Sequence, residues 1–274
     1  MQILILALAP VFLIFAYIYW KDRYEREPIW LLLITFFFGV LISFPIVVLQ
    51  ETLQQLSNCH SESQGLSLAF YYFLVVAFSE EGMKYLIVRI FNYPLQHFNE
   101  PFDGIVYCVV VSLGFAALEN ILYIGAAQNE LRVGLMRMVV SVPIHAVCGA
   151  AMGYYVGRAK FRPSRFWATK EHIKGVIIAI SLHGTFDYLC ARNVSFYVLV
   201  ILVILGVIIV NQGMYGTAQL SPFRRNWQKK WQELTQRKYP TSPQRYILDE
   251  DIENTAAATP EDLGENENST ENLV

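Results

Sequence analysis

Residues 71–91 read YYFLVVAFSEEGMKYLIVRIF, an apolar run of membrane-helix length with Glu80, Glu81 and Lys84 near its middle. Each ionisable group held in lipid costs ~2.5 to 3.5 kcal/mol on insertion scales, so this segment needs polar partners at its own depth. The rest of the chain has the composition that such a setting demands. Of its 274 residues 54% are hydrophobic and only 16% charged, too apolar and too charge-poor for an ordinary soluble domain.

A bilayer core of ~30 Å takes about 20 residues of helix. Seven stretches qualify: 3–20, 29–49, 66–89, 105–127, 135–156, 173–190 and 196–213. Strand-like alternation is absent, so the fold expected is an all-α polytopic bundle of seven transmembrane helices spanning residues 1–216. Three of the 21 Lys and Arg lie in 21–26, six in 158–174 and seven in 224–245, whereas the alternate loops hold only Arg132 and Arg192. The positive-inside rule therefore places the N terminus outside and the C terminus in the cytoplasm of a multi-pass plasma (inner) membrane protein. Residues 217–248 form a basic juxtamembrane segment, with Trp227 and Trp231 suited to the anionic leaflet. Residues 249–274 carry nine acidic groups and no Lys or Arg, the composition of a disordered tail. No feature points to nucleic acid. Cys59, Cys108, Cys148 and Cys190 show no paired or ligand-like spacing and read as packing residues.

Polar groups recur in four of the spans. Glu80 and Lys84 are four apart and share a face, which suits a structural ion pair but leaves Glu81 unaccounted for. The fourth span carries Glu119 and Asn120 beyond the small residues Gly114, Ala116 and Ala117. In the fifth, Pro143 precedes His145, and Gly149, Gly153 and Gly157 follow as a close-packing stripe on the histidine's face. The sixth places His183 and Asp187 four apart, a spacing at which a carboxylate orients an imidazole. The second and seventh spans read as packing and scaffold. Counted from the outer helix ends, Glu80, Glu81 and His145 lie roughly 18 to 21 Å deep, His183 and Glu119 roughly 10 to 12 Å, and Asp187 roughly 5 to 6 Å. The cytoplasmic half looks comparatively bare. Four carboxylates against one lysine require bound protons or water, and both suit acid–base chemistry. A proton-coupled transporter and a non-catalytic scaffold are the alternatives, but the first predicts a polar path onward to the cytoplasm.

The ordered set EEGMK (80–84), FDGIVY (102–107) with GFAALEN (114–120), an Arg ahead of VPIHAVCGAAMGYYVG (142–157), and HGTFD (183–187) resembles the PrsW family of intramembrane proteases, distant relatives of the CAAX prenyl endopeptidases. The resemblance covers about residues 79–188. It implies an endopeptidase that makes a site-1 cut near the extracytoplasmic face of a single-pass membrane protein, an anti-sigma factor, in regulated proteolysis. It also implies a catalytic set of Glu80, Glu81, Glu119, His145, His183 and Asp187. Either Glu80 or Glu81 would activate water with His145 helping to hold it, His183 oriented by Asp187 would stabilise the oxyanion, and Glu119 would protonate the leaving amine. The prenyl endopeptidases have FxxxH where this chain has Phe115 to Glu119, and Asn is common at the position of Asp187, so their roles do not transfer directly. A zinc ion on His145, His183 and one Glu is the competing mechanism. No cofactor is assigned and the metal-free version is preferred, because no HExxH is present.

Overall fold

The computed structural model describes residues 2–22, 24–219 and 221–223, and all regular structure among them is helical. The helices are α1 (Gln2–Lys21), α2 (Ile29–Ser57), α3 (Gly65–Asn92), α4 (Pro101–Ala126), α5 (Glu130–Lys160), α6 (Arg165–Ala191) and α7 (Phe196–Gln219). Helices α2 to α7 are each long and apolar enough to cross a membrane, and α1 adds the shorter apolar stretch Ala7–Lys21. The chain is a multi-pass membrane protein, and most of its helices run a few residues beyond the spans read from the sequence. Most of the basic 217–248 segment, with Trp227 and Trp231, and all of the acidic 249–274 tail lie outside the described residues.

The core is built around α4. Every residue from Pro101 to Ala117 is buried, as expected of a helix that is apolar on all sides. Two neighbours approach its backbone through glycine. A Cβ at Gly153 or Gly157 of α5 would collide with the carbonyl oxygen of Gly104 or Pro101, so the predicted glycine stripe is the α4–α5 contact. On another face of α4, Gly39 of α2 and Gly114 of α4 meet in the same way. Helix α7, by contrast, leaves most of its side chains uncovered by the rest of the bundle.

Three irregularities precede residues of the site along their helices. The α2 ladder breaks at Ile42, just ahead of Pro45, whose nitrogen cannot donate to Leu41. Wide π turns occupy Tyr71–Ala77 in α3 and Arg137–Ser141 in α5. Each accommodates an extra residue per turn, and each lies directly before the part of its helix that carries a candidate catalytic group.

The end of the bundle assigned to the cytoplasm is not bare. Asp22 after α1, Glu27 ahead of α2, and Glu100 and Asp103 at the start of α4 are all buried. Burial pushes the carboxyls of Asp22, Glu27 and Glu100 up to about 7, 8 and 7. Three of these four residues sit at or beyond helix ends, so a scan for apolar windows passes them to solvent, whereas the fold covers them.

Candidate active site

Helix α3 delivers its polar residues one turn after the Tyr71–Ala77 π segment. Lys84 is fully buried; its Nζ lies 2.7 Å from Oε1 of Glu81 and 3.5 Å from Oε2 of Glu80. The tighter partner is therefore Glu81, not Glu80 as the four-residue spacing suggested. Positions three apart also share a helix face, and Glu81 is the carboxylate turned wholly inward. The ammonium is also 4.2 Å from the centre of the Phe115 ring, a cation–π contact in a dry setting.

Two histidines close around this group. Nδ1 of His183 is 2.9 Å from Oε1 of Glu81, while its Nε2 is 3.4 Å from Oδ2 of Asp187 and 3.8 Å from Oε2 of Glu80. His145 presents Nδ1 to Lys84 at 3.3 Å and Nε2 to Oε2 of Glu119 at 2.8 Å. The imidazoles meet edge to face with centroids 4.9 Å apart. Each ring is thus tied at Nε2 to an outlying carboxylate and turns Nδ1 toward the centre.

All six residues singled out in the sequence come together. Groups whose estimated depths differ by several ångströms, Glu81 with His183 and His145 with Glu119, reach each other through their side chains, at 2.9 and 2.8 Å. His183, not His145, holds a glutamate of the EE pair directly. The cluster is most open at Glu119 and Asp187, whose side chains are 19% and 22% exposed against 0% for Glu81.

Two further residues belong to the site. Arg137 lies 2.8 Å from Oε2 of Glu119 and donates through Nε to Asn120 at 2.7 Å. It is the Arg ahead of VPIH, and as a charged residue in an apolar span it is itself a functional signal to which the motif attaches no role. Gln50 of α2, a span read as packing alone, donates to Oε1 of Glu80 at 3.3 Å. A polar residue near the end of an apolar run gave no comparable warning.

The donor set suits a metal ion. Glu80, Glu81, His145 and His183 each offer an atom within 4.8 Å of the others, and all four are buried. Among the described residues, Oε2 of Glu81 is buried with no hydrogen-bond partner and Oε2 of Glu80 has only longer contacts with Lys84 and His183. Two imidazoles with carboxylate-anchored outer nitrogens are the arrangement by which proteins orient histidine ligands. Nitrogen and carboxylate donors in this proportion match a zinc-type site, even though the ligands come from three helices instead of one HExxH segment.

A profile described as PrsW family intramembrane metalloprotease matches residues 27–211. The chain belongs to the PrsW family. It is 37% identical over 204 residues to Protease PrsW of Bacillus subtilis (strain 168), covering 72% of this chain and 88% of the relative. It is 40% identical to the protein of the same name from Geobacillus kaustophilus (strain HTA426), covering 66% and 76%, and 34% identical to that of Clostridioides difficile (strain 630), covering 74% and 85%. No solved structure gives a significant match. As a PrsW family member the chain is an intramembrane peptidase, which sets aside the transporter and scaffold alternatives.

Proposed function

We propose that the chain cuts a single-pass membrane-anchored protein near the extracytoplasmic face, as the site-1 step of a proteolytic cascade, with an anti-sigma factor as substrate. The observation that carries this reading is the pair of histidines, each tied to a carboxylate at Nε2 and turned with Nδ1 toward the Glu80–Glu81–Lys84 group. The open side of the cluster lies toward Glu119 and Asp187, near the helix ends that the basic residues assign to the outside.

In this mechanism His145, His183 and Glu81 would hold a divalent metal, which would supply Lewis acidity when bound. Glu119 and Asp187 fix the imidazole orientations. Lys84 offsets the charge of the paired glutamates. Glu80 has the weaker contacts of the two glutamates and acts as the general base. It takes a proton from water as the water oxygen bonds to the carbonyl carbon. It returns that proton to the amide nitrogen as the C–N bond breaks, and the second proton of the water follows to the leaving nitrogen, so that the products are a carboxylate and an ammonium group. Glu119, engaged by both Arg137 and His145, serves here as a positioning residue and not as the acid for the leaving group.

The test is cleavage of a purified single-pass substrate in detergent or liposomes, with the cut mapped by mass spectrometry. The reading expects a cut within or next to the outer part of the substrate helix, loss on chelation, and recovery with Zn²⁺. Full activity of Glu80→Gln, His145→Ala and His183→Ala together would end it, and activity that survives exhaustive chelation would remove the metal.

A further inference from the structure

The carboxylates at the opposite end of the bundle form a second group that peptide cleavage does not use. Asp22, Glu100 and Asp103 each bring a carboxylate oxygen within 4.8 Å of the others, and all three are at most 1% exposed. Glu27, 3% exposed, is joined to this group through its amide, which donates to Asp22.

The protein supplies donors to only some of the oxygens. Oδ2 of Asp22 accepts from the Glu27 amide at 3.0 Å, and Oδ2 of Asp103 accepts from the amides of Asn99 and Glu100 at 2.8 Å each. Oε2 of Glu27 accepts from the Tyr107 hydroxyl at 2.5 Å, and Oε2 of Glu100 from the Ser221 hydroxyl. Oδ1 of Asp22, Oδ1 of Asp103 and Oε1 of Glu27 are buried with no hydrogen-bond partner among the described residues. Leaving such atoms unpaired is costly, and more so when they carry charge.

No Lys or Arg forms an ion pair with these four residues among the described ones. Two basic groups of this region have aromatic or backbone partners of their own. Arg26 packs over the Tyr19 ring at 5.3 Å, and Lys160 donates to the Tyr93 carbonyl while lying over the Phe98 ring.

We propose that Asp22, Glu100 and Asp103, with Glu27 completing the donor set, hold a hard divalent cation, Ca²⁺ or Mg²⁺, at the cytoplasmic end of the bundle. Every donor is oxygen, which selects against the softer metals that take histidine or thiolate. Oxygens on opposite sides of one Ca²⁺ at about 2.3 to 2.6 Å stand about 5 Å apart, close to the mutual spacing here. The ion would join the end of α1, the α1–α2 connection and the start of α4. Through the Ser221–Glu100 bond it would also reach the chain just past α7.

The experiment separates this site from the catalytic one by using the Glu80→Gln/His183→Ala protein, purified in detergent and stripped with chelator. Ca²⁺, Mg²⁺ and Zn²⁺ are titrated in turn while the melting temperature and bound metal are measured. The expectation is one equivalent of Ca²⁺ or Mg²⁺ and a rise of about 5 °C at saturation. Adding Asp22→Asn, which preserves the acceptor for the Glu27 amide, should abolish both signals, and Glu100→Gln should do the same if Asp22→Asn folds poorly. No rise with any cation, a rise with Zn²⁺ alone, or an equal rise in both substituted proteins overturns the proposal.

Discussion

Two groups of buried carboxylates lie about 24 Å apart along α4, one beside Glu119 and the other beside Asp103. In the first, Lys84 and Arg137 are set directly against the acids, so the protein carries its own counter-charge into the membrane. In the second, among the described residues, no basic side chain pairs with the acids and three buried oxygens have no donor. Both groups have oxygens that could take an ion, but only the first carries basic side chains that hold its carboxylates in place when none is bound.

This contrast predicts opposite signs for charge removal. The largest effect is expected for Lys84→Met, which strands two buried glutamates. It should cost ~3 to 5 kcal/mol of stability and abolish cleavage, measured by melting in detergent and by fragment formation. Wild-type stability in that variant would break the comparison. Glu80→Gln should lower the cleavage rate ~10²- to 10⁴-fold with little change in melting temperature, as expected for loss of a general base. A comparable fall in Glu81→Gln but not in Glu80→Gln would exchange the roles of the two glutamates.

Arg137→Gln acts one shell further out, through Glu119 and His145, and should reduce activity and metal affinity ~10- to 100-fold. Partial recovery in Arg137→Lys, read as a lower metal concentration for half-maximal activity, would identify positioning and not folding as its role. At the other cluster the sign reverses. In chelated protein Asp22→Asn should raise stability by ~1 kcal/mol because it relieves repulsion, while leaving cleavage within about threefold of wild type. Gln50→Ala should have the smallest effect, about a threefold loss of activity, since its contact with Glu80 is long.

Much of the fold was legible because membrane spans are written in long apolar windows. The glycine stripe of α5 also followed directly, since only glycine lets two helix backbones touch. The six site residues were legible for a related reason: an ionisable group inside such a window is conspicuous. What remained hidden depended on helix irregularity or on helix ends. The pairing of Lys84 with Glu81 and the contact of His183 with Glu81 follow from local geometry that periodicity averages away. Asp22, Glu27 and Glu100 lie just outside the apolar windows, where a hydropathy reading assumes water, and their burial comes from the packing of segments far apart in the chain. Gln50 is a polar residue at the border of a span and becomes informative only once α2 is placed against α3.

The two π turns that precede site residues, distinct from a third at Val88–Asn92, give the site a particular vulnerability. Deleting a single residue from 71–77 or from 137–141 would let either helix relax to ordinary α geometry, turning the outer part of that helix by about 100° relative to Glu80 and Glu81 or to His145. Hydropathy, length and charge would scarcely change, and the product would still insert in the bilayer. Loss of one codon could therefore convert this peptidase into an inert membrane protein that composition alone would not distinguish from the active one.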